Sequence, residues 1–428
     1  TKDGTCLRDY IDINDLSEIH LLLIKKLKSN KFLELNCGYN KITHDSESDI
    51  LIDSELISAN KKIITNPLIE GSFSLIGNYS DNSAYGVTLI DPYGTYMYLA
   101  SLSENKVIKI NSSSLELVTT LAYAAGSAGY IINHGIIEST GTYAYYCTSS
   151  NGGVAKIIKV LLETLEVSET ISYSTSESLN YIVIDPTNTY LYVCSNESPG
   201  KIIKVNISSF SIDTTLSLGS PYNTCLNGVI TDTYAGITGK YGYFTSFSST
   251  NNSYYIHKIT LSTFNSITTS ISLNTTGKIS SISSFINNSF ELSIYLTSNT
   301  TPGSIIKFFP DLSSTYDAVS NKLVLDRLIT GKSYDFNNFK SSIVDIYTKF
   351  IYFITYTGII KLDIKNFSIA DILSTNSIIN LTGGCVNVDN QYLYVSSNYG
   401  TSCPVYKIAI GYIPEITTLT TETPNFNF

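Results

Sequence analysis

An internal repeat constrains the fold of this chain more than any other feature of its sequence. Residues 87–101 and 182–195 both read as an apolar run, an Asp-Pro turn and a second run containing Tyr-x-Tyr. A lysine-bearing apolar phrase follows each of them, at 106–111 and 201–206. Self-similarity at a fixed period indicates a repeat architecture, in which each unit packs on its neighbours.

The tyrosine in the second strand of each copy, called here the anchor tyrosine, gives the number of copies. Further copies are clear at 143–171, 241–271 and 391–410 and looser at 290–330 and 350–372. Successive anchors lie 47, 47, 51, 52, 57 and 42 residues apart, so seven copies follow. The anchors are Tyr98, Tyr145, Tyr192, Tyr243, Tyr295, Tyr352 and Tyr394.

Each copy reads as four short strands, named a to d in chain order. Strand b is apolar on both alternating faces, which is expected of a sheet covered on both sides. One such sheet cannot bury both faces alone, so the repeats must close into a ring. The sequence therefore predicts an all-β, seven-bladed β-propeller of four-stranded antiparallel blades. Strand c carries a lysine, such as Lys109 or Lys204, that we expect to extend outward to solvent.

Aspartates recur at the turn between strands a and b, at Asp91, Asp185 and Asp389. Their repeated position favours hydrogen bonding of the carboxylate to the turn backbone over a catalytic role.

The two ends of the chain leave alternatives open. Residues 58–66 echo the phrase at 103–111, and residues 73–76 resemble a fourth strand, so an eighth, degenerate blade is possible. The alternative is an N-terminal β-rich extension over 1–66, followed by the propeller over 67–421 and a tail over 422–428. Residues 415–421 match strand d of the last blade.

Three copies resemble the YVTN-type repeat, in which an Asp-Pro turn precedes a Leu-Tyr-Val strand. The resemblance is carried by residues 90–94, by 184–186 with 191–193, and by 393–395, and it extends over about 85–410. It implies a seven-bladed propeller of the kind found in surface-layer proteins and in lactonase-like enzymes.

Composition and charge narrow the classes of partner. The net charge is −9 and charged residues are 15% of the chain, so the surface is mostly neutral and polar. Lysines cluster only at 25–31, which does not provide the positive surface that nucleic acids require. The longest apolar run, 21–24, is far shorter than the roughly 20 residues of a transmembrane helix.

The seven cysteines show no spacing typical of a metal site. We expect Cys6 to pair with Cys37 and Cys385 with Cys403, since both pairs are local and suit an oxidising compartment. Cys147 and Cys194 occupy the same position in consecutive blades. Facing sheets lie about 10 Å apart, too far for a disulfide, so these two are expected to be buried thiols. Cys225 then stays unpaired or bonds another chain.

Ten Asn-x-Ser/Thr sequons fall mostly in predicted turns, where a glycan would be exposed. They lie at Asn78, Asn111, Asn196, Asn206, Asn251, Asn274, Asn287, Asn299, Asn366 and Asn380.

The sequence offers no catalytic, cofactor or metal constellation. Candidate ligand contacts lie at the rim formed by the d–a and b–c connections, where propellers commonly bind ligands. These candidates are Tyr85, Tyr130, His134, Tyr222 and Tyr399.

Three functions are compatible with these features. The first is a secreted structural or adhesive propeller that assembles with itself or other proteins into an extracellular coat, filament or fibre. Low charge density and abundant tyrosine favour such contacts. The second is a carbohydrate- or peptide-binding module, and the third a lactonase-like hydrolase, for which no set of converging acids, histidines or arginines can be assembled.

Overall fold

The computed structural model describes most of residues 73–410 and two short segments before them. The gaps are 82, 124–128, 231–232, 235–236, 239–240, 274–276, 287–291, 300–302, 309–322, 325–337, 345–349, 365–366, 375–378, 388–391 and 399–402. The chain divides into two compact units, Ser72–Ile410 and a second unit formed by Thr1–Gly71 with Gly411–Phe428. Of the second unit, the structure describes one antiparallel pair, Thr43–His44 with Ile50–Leu51.

The larger unit contains seven four-stranded antiparallel sheets, which confirms the predicted seven-bladed propeller. Strands a are Tyr85–Ile90, Ile132–Ile137, Leu179–Ile184, Thr224–Ile230, Lys278–Ile286, Phe339–Val344 and Leu381–Val386. Strands b are Tyr96–Ser101, Tyr143–Thr148, Tyr190–Ser195, Tyr241–Ser248, Leu292–Asn299, Phe350–Thr355 and Tyr392–Ser397. Strands c are Lys106–Asn111, Val154–Leu161, Lys201–Asn206, Ser253–Thr260, Ser304–Phe308, Gly358–Asp363 and Val405–Ala409. Strands d of blades 1 to 6 are Leu117–Ala122, Glu166–Ser174, Ser211–Ser217, Ile267–Ser272, Leu323–Val324 and Ser368–Ser374. A two-strand ribbon, Thr233–Tyr234 with Ile237–Thr238, joins strands a and b of blade 4.

Blade 7 takes its fourth strand from the start of the propeller. Ser74–Tyr79 pairs antiparallel with strand c of this blade, with Leu75 opposite Ile408. Residues 73–76 therefore belong to blade 7 and not to an eighth blade. The prediction that 415–421 supplies this strand is wrong, because Ser74–Tyr79 already occupies the position beside strand c. Residues 415–421 themselves lie outside the described residues.

The anchor tyrosines form the core between blades. All seven are buried, with at most 2% of their surface exposed. Each lies opposite the lysine of strand c, as Tyr98 does to Lys109 and Tyr394 to Lys407. The interior of the ring therefore repeats one tyrosine–lysine pair in every blade.

These lysines do not extend to solvent, contrary to the prediction from the sequence. Lys109 is buried, its Nζ lies 4.4 Å from the centre of the Tyr96 ring, and it donates to the carbonyl oxygen of Leu162 at 2.8 Å. Leu162 follows strand c of the next blade. The Lys407 ammonium closes the ring in the same way, by donating to the Ser112 carbonyl oxygen at 3.1 Å. A cation over an aromatic face with carbonyl acceptors is stable away from water, so Lys109 and Lys407 join blades.

The turn between strands a and b follows the prediction in the blades that the structure describes there. The Asp185 carboxylate accepts hydrogen bonds from the backbone nitrogens of Thr189 at 2.8 Å and Tyr190 at 3.1 Å. Asp91 binds its own turn in the same way, with Thr95 and Tyr96 as donors. Asp389 lies outside the described residues, and Asn387 is the acceptor for Tyr392 in blade 7.

Strand a of every blade carries a β-bulge near its start, next to the central channel. In blades 2 and 3 the bulged residues are Asn133 and Asn180. Each donates from Nδ2, at 2.8 Å, to a carbonyl oxygen of strand a in the next blade, Leu179 and Cys225 respectively. These bulges add polar links between blades at the level of the channel.

Candidate functional site

The rim residues predicted as ligand contacts do not form one site. Tyr399 lies outside the described residues. Tyr85 is fully buried at the start of strand a in blade 1, and its hydroxyl donates to Asp81 Oδ2 at 2.6 Å. Tyr85 therefore supports the connection between blades 7 and 1 and does not present its ring to a ligand.

Tyr130 and Tyr222 are half-buried in the d–a connections that lead into blades 2 and 4. The Lys156 ammonium lies 4.0 Å from the centre of the Tyr130 ring. The Tyr222 ring meets those of Tyr255 and His257 edge to face, at 5.0 Å and 4.5 Å between centres. Both tyrosines keep partly accessible surface at the rim, in different blades.

The sequence predicted His134 in the d–a connection before blade 2. The structure places it within strand a of that blade instead. Its ring stacks on Tyr181 at 3.7 Å, and its Nδ1 lies 3.1 Å from the carbonyl oxygen of Ile182 in blade 3. Desolvation by the surrounding protein lowers the pKa of His134 to about 4. The imidazole is thus neutral near pH 7 and joins two blades.

His257, which sequence reasoning left without a role, lies in a buried hydrogen-bonded chain in blade 4. Its Nε2 is 2.6 Å from the Ser246 hydroxyl and its Nδ1 is 2.7 Å from the Ser270 hydroxyl. The side chain is fully buried, and desolvation lowers its pKa to about 4. A serine beside an imidazole can suggest a nucleophile, but Ser246 has no exposed surface to meet a substrate.

A repeated sequence feature could have indicated the partner of His257. Ser246, which contacts His257, stands three residues after the anchor Tyr243. This position is occupied by serine or threonine in all seven blades, and each of these side chains is fully buried. They are Ser101, Thr148, Ser195, Ser246, Ser298, Thr355 and Ser397.

The ionic groups at the rim of blade 1 bind one another. Lys106 Nζ lies 2.8 Å from a Glu104 carboxylate oxygen, 3.4 Å from Asp81 and 2.6 Å from the Ser83 hydroxyl. Partial burial alone would raise the pKa of Asp81. Hydrogen bonds from Tyr85 and Ser83 and the charge of Lys106 keep that pKa below its ordinary value instead. This cluster of one ammonium and two carboxylates fixes the rim.

The central channel holds a cavity of about 370 Å³ at the end where strands a finish. Its lining is mainly aliphatic, with Leu89, Ile136, Ile343 and Val386 among its walls, and includes no charged side chain. Such a cavity favours apolar contact over polar recognition.

Exposed aliphatic side chains lie on the outer strands of blades 7 and 1, which are neighbours in the ring. Leu75 and Ile76 on the outer strand of blade 7 are 51% and 46% exposed, and Leu117 and Val118 on that of blade 1 are 49% and 50% exposed. The two blades approach one another near these strands, because a Cβ placed on Gly77 would touch the side chain of Leu115, just before strand d of blade 1, at 3.4 Å. We call these four exposed side chains the seam patch.

The seam patch lies on strands whose outer edges are open. Among the described residues, strand d of blade 1 pairs only with strand c, as does Ser74–Tyr79 in blade 7. Neither strand contains a charged residue. By contrast, Glu169 and Asp213 follow the exposed Val167 and Ile212 on the outer strands of blades 2 and 3. Charges on an edge strand hinder pairing with another chain, so the seam between blades 7 and 1 is the less protected part.

The predicted disulfide between Cys385 and Cys403 is not present. Strand a of blade 7 begins at Leu381, which pairs with Ser397 near the b–c turn, whereas Cys385 pairs with Tyr394 farther along the strand. Cys403 lies by that turn, just before strand c, so the two side chains are separated along the blade. Cys147 and Cys194 are buried thiols, as predicted. Cys6 and Cys37 lie outside the described residues.

The predicted glycan acceptors differ in how accessible their amides are. Asn78 and Asn251 are exposed. Asn299 is committed to the fold, since its Nδ2 donates to Ser280 and its Oδ1 accepts from the Phe339 nitrogen, both at 2.7 Å. Asn111 and Asn206 bind their own turns through Oδ1, and Asn196 donates to Glu177. Asn380 is half-buried, and Asn274, Asn287 and Asn366 lie outside the described residues.

Two searches of the described residues bear on other classes of site. They hold no group of three or more histidine, cysteine or acidic side chains placed to bind a metal ion. They also contain no helix with the length and apolar character needed to cross a bilayer.

Comparisons with known proteins identify the fold. No family model matches the chain. One curated protein, UDP-glucose 4-epimerase of Azospirillum brasilense, is 45% identical over 42 residues, which is 10% of this chain and 12% of the epimerase. The chain thus spans about an eighth of that relative, and the resemblance to YVTN-type repeats rests on the sequence motifs alone.

Solved structures match the propeller over nearly their whole length. Kuenenia stuttgartiensis hydrazine synthase aligns with a TM-score of 0.60 and 10% identity, covering 77% of this chain and 97% of that chain. The RRP9 WD40 repeats align with a TM-score of 0.56 and 10% identity, over 78% and 97%. U3-55K aligns with a TM-score of 0.55 and 11% identity, over 78% and 98%. At these identities the comparisons show that the chain has the β-propeller fold shared with WD40 proteins.

Proposed function

We propose that this protein is a non-enzymatic interaction propeller that associates with further copies of itself through the seam patch. The observation that carries the proposal is the pair of uncharged outer strands, on neighbouring blades, that expose Leu75, Ile76, Leu117 and Val118. Clustered exposed aliphatic side chains are characteristic of protein interfaces. Open strand edges add backbone donors and acceptors that a neighbouring strand can bind.

The assembly we propose is an extracellular coat, filament or fibre. The low charge density of the chain favours association, since repulsion between copies is weak. The exposed Asn251 sequon, in the b–c turn of blade 4, suits a secreted glycoprotein.

Sedimentation velocity over a range of concentrations tests the association. Replacing Leu117 by Asp places a charge in the seam patch and should weaken self-association roughly tenfold or more, since burying one aliphatic side chain contributes about 1.5–3 kcal/mol. Ile212→Asp is the matched control, because Ile212 occupies the same position on the outer strand of blade 3 and is 38% exposed. Monodisperse wild-type rings at high concentration, or equal effects of the two changes, would overturn the proposal.

Intact mass before and after deglycosylation tests the compartment. Asn78 lies three residues from Leu75 on the same strand, so a glycan there would shield the seam patch. We therefore expect a glycan on Asn251 and none on Asn78. An unmodified chain from its native source would count against secretion, and a modified Asn78 would count against the seam patch as the interface.

A carbohydrate- or peptide-binding module is the second candidate. It is favoured by the half-buried rings of Tyr130 and Tyr222 at the rim. Binding on a glycan or peptide array that Tyr222→Ala abolishes, while the ring keeps its melting temperature, would support it.

A further inference from the structure

Neighbouring blades meet at a contact that repeats around the ring. The residue two positions after an anchor tyrosine lies in the same core cluster as the residue just before the strand a bulge of the next blade. Ala100 and Ile132 share one core cluster in this way, and Cys147 and Leu179 share another. Side chains at these two positions therefore belong to one core between two sheets.

Between blades 3 and 4, both positions of this contact are cysteines. Cys194 follows the anchor Tyr192, and Cys225 precedes the bulge of strand a in blade 4. They belong to the same core cluster and are at most 1% exposed. Desolvation raises the pKa of the Cys194 thiol, and the Cys225 side chain is close enough to raise it further.

Blade 3 also approaches the backbone of Cys225 closely. A Cβ placed on Gly200, in the b–c turn of blade 3, would lie 2.6 Å from the backbone nitrogen of Cys225. The Cys225 carbonyl oxygen accepts from Asn180 Nδ2 at 2.8 Å. Two residues of blade 3 therefore hold the Cys225 backbone against this blade, in the core cluster that also contains Cys194. A disulfide requires a close approach, with Cβ atoms about 4 Å apart.

We propose that Cys194 and Cys225 are a modification site, at which a disulfide oxidant such as oxidised glutathione links blade 3 to blade 4 through a disulfide. The cross-link joins strand b of one blade to strand a of the next. It also gives Cys225 an intramolecular partner, whereas its complete burial keeps it from bonding another chain.

The chemistry is two successive thiol–disulfide exchanges. One cysteine thiolate attacks oxidised glutathione, breaks its S–S bond and releases one reduced glutathione. The second thiolate attacks the mixed disulfide, forms the Cys194–Cys225 bond and releases a second reduced glutathione. The protein loses two electrons and two protons, which the two glutathione thiols gain. Burial raises the pKa of the Cys194 thiol, so the reaction proceeds while the chain folds or when the two blades part.

Mass spectrometry of the full chain tests the proposal. The protein is refolded with reduced and oxidised glutathione, its free thiols are blocked with N-ethylmaleimide in denaturant so that buried thiols react, and it is deglycosylated and digested with trypsin without reduction. Peptides 160–201 and 205–240 hold Cys194 and Cys225 respectively. We expect them to be joined and to separate on reduction. Cys147, in peptide 110–156, faces a leucine at the same contact and should carry the blocking group, which makes it an internal control.

Alanine variants give an independent readout. In blade 1 the position equivalent to Cys194 is occupied by Ala100. An alanine is therefore compatible with this contact, and we expect Cys194→Ala to fold. The oxidised wild type should melt several degrees above the reduced form, and Cys194→Ala and Cys225→Ala should each remove that difference. Folded, oxidised protein in which both cysteines carry the blocking group, or in which either is joined to a different cysteine, would overturn the proposal.

Discussion

Acidification should destabilise the propeller through His257, and the structure sets the size of the effect. This histidine is fully buried between two serine hydroxyls, and desolvation lowers its pKa from 6.5 to about 4. Above pH 6.5 neither the folded nor the unfolded chain binds a proton at this residue. Between pH 6.5 and 4 the unfolded chain binds a proton that the folded ring excludes, so stability falls as the pH falls.

The loss follows from about 1.4 kcal/mol for each unit of pKa difference, which gives about 3.5 kcal/mol when the pH has fallen well below 4. At pH 4.5 most of it, about 2.5 kcal/mol, should be present. His257→Gln removes the titrating group. Between pH 7.5 and pH 4.5 the free energy of unfolding should therefore fall by about 2.5 kcal/mol less in this variant than in wild type.

Urea unfolding at the two pH values measures this difference. Tyrosine fluorescence can follow it, because the chain has 33 tyrosines and no tryptophan. Histidine NMR resonances provide a direct check, since there are only four histidines and the variant identifies that of His257. A His257 resonance that titrates near pH 6.5, or equal pH dependence in the two proteins, would refute the reasoning.

Two further substitutions test local features of the ring by differential scanning fluorimetry. Asp185→Ala removes the acceptor for the Thr189 and Tyr190 nitrogens and should cost about 2 kcal/mol, because those donors lose their partner; an unchanged melting temperature would show that water replaces the carboxylate. Gly200→Ala puts a methyl group 2.6 Å from a backbone nitrogen of blade 4 and should cost about 2 kcal/mol or more. The control Gly77→Ala meets only the Leu115 side chain at an ordinary 3.4 Å, and a loss as large as that of Gly200→Ala would contradict the proposed close approach.

The fold could be predicted because its determinants are local and repeated. The anchor tyrosines and the a–b turn recur in consecutive copies, and each blade needs only its own four strands and the faces of its neighbours. The closing strand of blade 7 could not be predicted in the same way. Residues 415–421 have the pattern of strand d, and no local feature indicates that Ser74–Tyr79 pairs beside Ile408 instead.

The errors at single residues have the same origin. Lys109 was expected in solvent because its partner, the Leu162 carbonyl oxygen, belongs to the next copy of the repeat. Cys385 and Cys403 were expected to pair because they are close in sequence, whereas pairing with strand b starts strand a at Leu381 and places Cys385 farther along the blade. The seam patch combines strands from blade 7 and blade 1, which become neighbours only once the ring is closed.

The pairing of Ser74–Tyr79 with the last strand c has a consequence for how the protein is made. A ribosome releases the first strand of this sheet more than 300 residues before the strand that hydrogen-bonds to it. Blades 1 to 6 can assemble one after another as they emerge, but Ser74–Tyr79 must wait until synthesis has passed Ala409. Until then Ser74–Tyr79 has no strand to pair with, and the completed ring appears only in a late, long-range step.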